Sequence, residues 1–391
     1  MSTALLTAGL RFCLDVQFWF PTWFFLLKHQ GFSTSEAVLA DAVFHGVLLI
    51  SEIPAGRLVS SLRRTTSIKL VCAFTTIVFL LLPFTPNLPA LVLTWTAWGF
   101  LWAMASGLDT AYTWELAESN YVDFPPHKFL SLMKIVSGTS VALSIIFAGF
   151  LFEISPPLPF LLTAFLSAMG LTLSFWLPNP PSVKSKTNHS HFNEIVRGEP
   201  LLQFGILSLS SIITVSISIR ILFQPVAHDE SIPPSVISFF YVSIAAAFSA
   251  GQAIGAWFSS HTVRRTVMSH SVLLIAISFV YVSSGLLSNY SIPLGSLFII
   301  LGSVICGFST TFSEIVIATY SSSEFRVTAL SIASAISGAA LLVLRPILVW
   351  LYDSFGVVCA FMTSGLMCLA LLIGTRLFWK WRTTRFEHPP A

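Results

Sequence analysis

The sequence predicts an all-α membrane protein of twelve transmembrane helices in two pseudo-symmetric six-helix bundles, with both termini cytoplasmic. Three observations carry that expectation. First, the 391 residues are 55% hydrophobic and only 9% charged, with 35 phenylalanines, whereas soluble domains are about 25% charged. Second, apolar runs recur along the whole chain with one long polar interruption. Third, the basic residues fall on one side of the membrane once the runs are threaded alternately through it. A spanning helix needs about 20 apolar residues, so twelve would use roughly 240. The remainder suits short loops and one linker. This composition, with a net charge of +3, excludes a large extramembrane catalytic domain, a long disordered tail and a nucleic-acid-binding surface.

Reading the apolar runs between charged, proline and glycine punctuation gives spans near 4–28, 34–56, 67–84, 89–114, 129–153 and 158–177. A second set follows near 200–222, 234–258, 267–288, 292–318, 327–352 and 356–379. Domains are therefore expected at 1–177 and 200–379, joined by a cytoplasmic linker at 178–199 and followed by a cytoplasmic tail at 380–391. The N-terminal stretch lacks the basic start and small-residue cleavage site of a leader and reads as the first span. Lysine and arginine in short loops stay cytoplasmic. Placing both termini inside puts Arg57, Arg63, Arg64, Lys69, Lys128, Lys184, Lys186, Arg197, Arg264, Arg265, Arg326, Arg376, Lys380, Arg382 and Arg385 on that side, fifteen of the 20 basic residues. The five cysteines lie in apolar runs without a CxxC pair and read as buried thiols. The sequons at Asn188 and Asn289 fall in the cytoplasmic linker and in a short loop, poor places for an acceptor.

The two halves are related. An offset of 200 residues pairs Leu130-Ser131 with Leu330-Ser331, Ser137-Gly138 with Ser337-Gly338, Gly107 with Gly307, and Glu153 with Asp353. Parallel six-span repeats are a transporter architecture in which substrate binds between the halves.

Two segments then carry a family resemblance. Glu52-Ile53-Pro54-Ala55-Gly56-Arg57, running on to Arg63-Arg64, resembles the second-to-third loop signature of the major facilitator superfamily, E-x-P-x-G-x-x-x-D-x-x-G-R. Ser60 stands at the usual aspartate and Arg63 at the usual glycine. Ser106-Gly107-Leu108-Asp109-Thr110-Ala111, running on to Glu115, resembles a run in one broad branch of that superfamily. The fifth span lacks the proline of the Gly-Pro-rich signature common in drug/proton antiporters. The resemblance implies a transporter working by alternating access. It also implies that Glu52, Gly56, Arg63 and Arg64 form a cytoplasmic gate; with Ser60 in place of the carboxylate, Arg63 or Arg64 is expected to seek Asp109, Glu115 or a helix C-terminus.

Ionisable groups at membrane depth cost about 3 kcal/mol on insertion scales and therefore face the protein interior. Arg11 and Asp15 are four residues apart and share a helix face. They read either as a self-neutralising structural pair or as a cavity carboxylate tuned by its neighbour. Asp41 and His45 form a second such pair, either a proton relay or a helix-end aspartate with an uninvolved imidazole. Asp109 is expected to couple substrate or protons. Glu115, at the span boundary, is expected to pair with Lys128 or a loop arginine, and Glu314 lies at a similar depth in the second half, which suggests that the two are paired gates. Arg345 has no charged neighbour on its own span and must find a partner, with Asp15 and Asp41 as candidates.

Trp95, Trp98 and Trp102 recur at helical spacing ahead of Asp109, and Trp19 and Trp23 follow Asp15. They read either as an interfacial belt or as an aromatic wall above a carboxylate, suited to a flat, hydrophobic or cationic substrate. The chain has no phosphate-binding GxxxxGKS loop and no HExxH, so an enzyme is not expected and no cofactor is required. The expectation is a monomeric, proton-gradient-driven secondary transporter of a small organic molecule in the cell membrane's lipid bilayer, with export favoured over uptake. A receptor or scaffold that kept the fold is the rival class.

Overall fold

All regular structure in the described residues of the computed structural model is helical; these are 2–105, 108–180, 200–258, 263–288, 292–320 and 326–387. Both sequons and the Ser106-Gly107 pair lie outside them. Eight helices among them are long and apolar enough to cross a membrane, and Thr3–Leu14, Leu158–Ser174 and Ile275–Leu287 are shorter apolar helices. The chain divides into two compact units, Met1–Lys186 with Ala227–Val242, and Thr187–Val226 with Ser243–Ala391.

In the first unit, α1 (Thr3–Leu14) is capped by the Ser2 hydroxyl and stops at Asp15. Here the structure corrects the sequence reading of an unbroken first span. Residues 15–22 are not helical, and α2 (Trp23–His29) resumes only afterwards. Pro21 supplies the reason. It has no N–H for the 21→17 bond, its ring would meet the carbonyl of Gln17, and it restricts Phe20 to non-helical conformations. Such a break is tolerated at membrane depth only where protein or a cavity satisfies the freed backbone. Trp19 and Trp23 therefore do not continue a helical stripe from Asp15.

α3 (Thr34–Ser61) starts at a capping box in which Ser33 and Glu36 satisfy one another's backbone N–H groups. α4 (Arg64–Leu81) begins after Arg63 and ends in a short 3-10 turn at Leu82–Phe84 containing Pro83. α5 (Leu88–Ala105) and α6 (Leu108–Glu118) follow, then α7 (Pro126–Ile154) and α8 (Leu158–Ser174), both opened by prolines in their first turns. α3 packs on α5, α4 on α8, and α1 on both α7 and α8. The α3–α5 contact is close because Gly99 has no side chain; a Cβ there would sit 2.7 Å from the Phe44 carbonyl oxygen.

α9 (Pro200–Asp229) begins in the second unit and α10 (Pro234–Phe258) ends there, residues 227–242 belonging to the first; α11 (Val263–Ser288), α12 (Ile292–Tyr320) and α13 (Arg326–Glu387) follow in the second unit. The backbone turns through positive φ at Gly356, so α13 comprises two successive helices, each of spanning length. α11 packs against α12 and α13. Ser210 donates to the Ala333 carbonyl at 2.9 Å and Thr214 to the Ser337 hydroxyl at 3.2 Å, a buried hydroxyl seam between α9 and α13. All five cysteines are free thiols, four of them buried.

Candidate functional site

The break in α1 opens onto a cavity of about 380 Å³ whose lining residues all belong to the first unit. α1 and its broken continuation contribute Arg11, Asp15, Gln17 and Trp19. α4 contributes Thr75 and Phe79, α5 contributes Trp98 and Trp102, α6 contributes Asp109 and Tyr112, and α7 contributes Ser137.

The charged groups meet at one point. The Arg11 guanidinium contacts the Asp15 carboxylate through Nε and the Asp109 carboxylate through Nη1. Asp15 ends α1, and Asp109 lies on α6. The sequence spacing of Arg11 and Asp15 pairs them, as expected, but it gave no sign that one guanidinium would serve two carboxylates. These three are the only charged side chains among the described lining residues, so the fully ionised cluster carries one excess negative charge.

Aromatic rings wall the cavity. Trp19 meets Trp98 edge to face at 4.4 Å, and lies 6.4 Å from Trp102 and 6.0 Å from Phe79. Phe44, seated by the Gly99 contact, backs Trp98 at 5.0 Å. Trp102 is 42% exposed, so its ring is available to a ligand, while Trp98 is buried behind it. Trp95, expected in the same stripe, does not line the cavity; it packs against Trp23 at 5.2 Å and Trp98 at 4.9 Å.

Arg11, Asp15, Trp19, Trp102 and Asp109 are thus gathered at one site, and the remaining sequence candidates lie elsewhere. Asp41 and His45 face one another at 3.9 Å on α3 and do not line the cavity. Glu115 is held by Arg64, whose Nε is 3.1 Å from both carboxylate oxygens and whose Nη2 is 2.9 Å from Oε1. This loop-arginine pairing is the one the altered loop motif led us to expect. Glu52 and Gly56 lie on the last turns of α3, and Arg63 is exposed at the N-cap of α4. Arg345 is buried on α13 in the second unit. In the first unit, Asp15 is held by Arg11 and Asp41 faces His45. Glu115 is buried on α6 in the first unit, and Glu314 is exposed on α12 in the second.

Sequence reasoning missed Gln17, Phe79, Tyr112 and Ser137. Pro21 was the available signal for Gln17, since a proline-broken span exposes backbone and side chains near the break. Nothing in the sequence distinguished the others from ordinary span residues.

This arrangement defines a helical, multi-pass membrane protein with a polar, aromatic-walled cavity inside its first helix bundle. The fold is that of the major facilitator superfamily transporters. No sequence family and no curated relative matches the chain, but solved structures do. The nucleoside transporter NupG matches at 14% identity and a TM-score of 0.73, covering 97% of this chain and 100% of that one. A D-xylose-proton symporter matches at 15% identity and a TM-score of 0.69, with 96% of each chain covered. The human organic anion transporter MFSD10 (TETRAN) matches at 14% identity and a TM-score of 0.62, covering 95% of this chain and 98% of that one.

Proposed function

We propose that this protein is a secondary active transporter that moves a small, flat organic cation across a cell membrane by alternating access, driven by the proton gradient. One observation carries the proposal: a single guanidinium is shared by two carboxylates beneath a tryptophan wall. The site is one positive charge short of neutrality. A bound proton or a bound organic cation can each supply it, and a site that takes one or the other supports exchange of the two. Exchange against an inward proton gradient is export, the direction we assign. Stacking and cation–π attraction on Trp19 and Trp102 would hold the cation's ring, worth about 0.5–2 kcal/mol. The protein would act as a monomer with no cofactor. The likeness to transporters of nucleosides, a sugar and organic anions supports transport as the class of activity and leaves the cation to be argued from this cavity alone.

Ligand stabilisation of the purified protein tests the proposal. A ligand at a hundred times its Kd adds about 2.7 kcal/mol to the folded state. Flat monovalent cations such as 1-methyl-4-phenylpyridinium should raise the melting temperature, while size-matched neutral and anionic compounds should not. Stabilisation by anions and not by cations would refute the assignment of charge. No stabilisation by any class would favour a receptor or scaffold.

A further inference from the structure

The groups that bind charge in this cavity are placed by a segment that has no helix of its own. Residues 15–22 must have their backbone groups satisfied by neighbours, or the break would be too costly at membrane depth. Turns within the segment satisfy the Phe20 and Thr22 N–H groups through the Gln17 and Trp19 carbonyls, and one face of α7 meets a further part of that need. Ser137, Ser140 and Ser144 recur at i, i+3 and i+7 on successive turns, and the latter two reach different parts of the break. The Ser140 hydroxyl donates to the Phe12 carbonyl at 2.6 Å, taking one of the carbonyls left open where α1 ends. The Ser144 hydroxyl accepts from the Gln17 N–H at 2.8 Å and donates in turn to the Val141 carbonyl at 2.9 Å. Ser137 lines the cavity together with Asp15. Ser140 and Ser144 are buried, so no water competes for these bonds.

We infer that Ser140 and Ser144 are positioning residues for the transport site: they clamp the backbone on either side of Asp15 and so fix its carboxylate, with Trp19, against Arg11 and Asp109. Neither serine lines the cavity, so neither need touch the ligand. Phe12 and Gln17 flank Asp15 by three and two residues. A clamp on both leaves the intervening backbone little freedom to move the carboxylate away from the guanidinium. Ser137, by contrast, lines the cavity.

This inference rests on the cation-site reading, and its test separates the two. Tryptophan fluorescence of the full-length protein, titrated with 1-methyl-4-phenylpyridinium between pH 5 and 9, reports affinity and its pH dependence. Ser144→Ala should weaken binding about fivefold to tenfold, the loss expected from one buried hydrogen bond, and should displace the pH midpoint of binding. Ser140→Ala should act in the same direction, and Ser144→Thr, which keeps the hydroxyl, should recover both quantities. Thr139→Ala removes an exposed hydroxyl of the same helix, one that bonds only the Ile135 carbonyl, and should change neither. Wild-type affinity and midpoint in Ser144→Ala, or an equal loss in Thr139→Ala, would overturn the inference. If the wild type does not bind the probe, the cation reading fails. The clamp is then judged on the ligand-free protein, where Ser144→Ala must shift the pH profile of tryptophan emission and Ser144→Thr must restore it. A profile unchanged by Ser144→Ala overturns it.

Discussion

Arg11 and Asp109, 98 residues apart in the chain, are joined by a direct contact between guanidinium and carboxylate. This contact ties the end of α1 to the start of α6 and makes one cation answer to two anions. Arg11→Ala should leave Asp15 and Asp109 facing one another without a counterion. Mutual repulsion then raises the proton affinity of one of them, because two adjacent carboxylates cannot both ionise freely. Cation binding should consequently require higher pH in Arg11→Ala than in the wild type. Affinity measured at several pH values checks this. Identical pH profiles would mean that Arg11 does not set the charge state of the site.

The aromatic wall separates binding from packing. Trp102→Ala should weaken binding of a flat cation about fivefold, with Trp102→Phe recovering part of the loss, as expected for a ring worth about 1 kcal/mol. Trp95→Ala removes a fully buried ring that does not line the cavity. It should lower thermal stability by roughly 3–5 kcal/mol and leave the affinity of the folded fraction unchanged. Parallel melting and binding curves check both.

Arg64 and Glu115 form a bidentate pair with side chains only 17% and 10% exposed. Removing one partner leaves a largely buried charge, which costs roughly 3 kcal/mol. Arg64→Ala should therefore lower the melting temperature measurably, whereas the double variant Arg64→Ala/Glu115→Ala should lose less than the two single changes combined. A double-mutant cycle on purified protein measures the coupling, and additive losses would show that the two charges do not support one another.

Gly149 on α7 approaches the first turn of α10 so closely that a Cβ would lie 2.1 Å from the Pro234 carbonyl oxygen. Glu153, one turn on, accepts from the Ser235 N–H at 3.0 Å. Both residues belong to the first unit, so an oxidised cross-link in Glu153→Cys/Ser235→Cys should form readily and leave transport undiminished. Loss of transport on oxidation, restored by reduction, would show that this contact opens during the cycle.

How much of this was legible in the sequence differs from one feature to another. The helical membrane fold followed from the apolar runs, because a chain this poor in charge can bury its backbone polarity in a bilayer only as helices. Asp15, Asp109, Trp19 and Trp102 stood out because charged and large aromatic side chains are scarce at membrane depth and must face something. Their convergence was only half visible. The i, i+4 spacing announced Arg11 with Asp15, but Asp109 joins them through packing between distant helices, which no local pattern encodes. The broken first span was legible at Pro21 and was overlooked because the apolar run continues through it. The α7 serines were invisible as positioning groups, since a serine in a span reads as a neutral, small residue until its partner's backbone is seen. Asp41, His45 and Arg345 looked equally promising and lie away from the cavity or in the other unit, because scarcity marks an interior position and does not say which interior.

The most direct test of the account is transport in proteoliposomes with an imposed pH gradient. Purified protein should accumulate 1-methyl-4-phenylpyridinium in vesicles that are acidic inside, with proton efflux that depends on the cation, and Asp109→Asn should abolish both. Absence of cation-dependent proton flux in the wild type, or unchanged flux in Asp109→Asn, would contradict it.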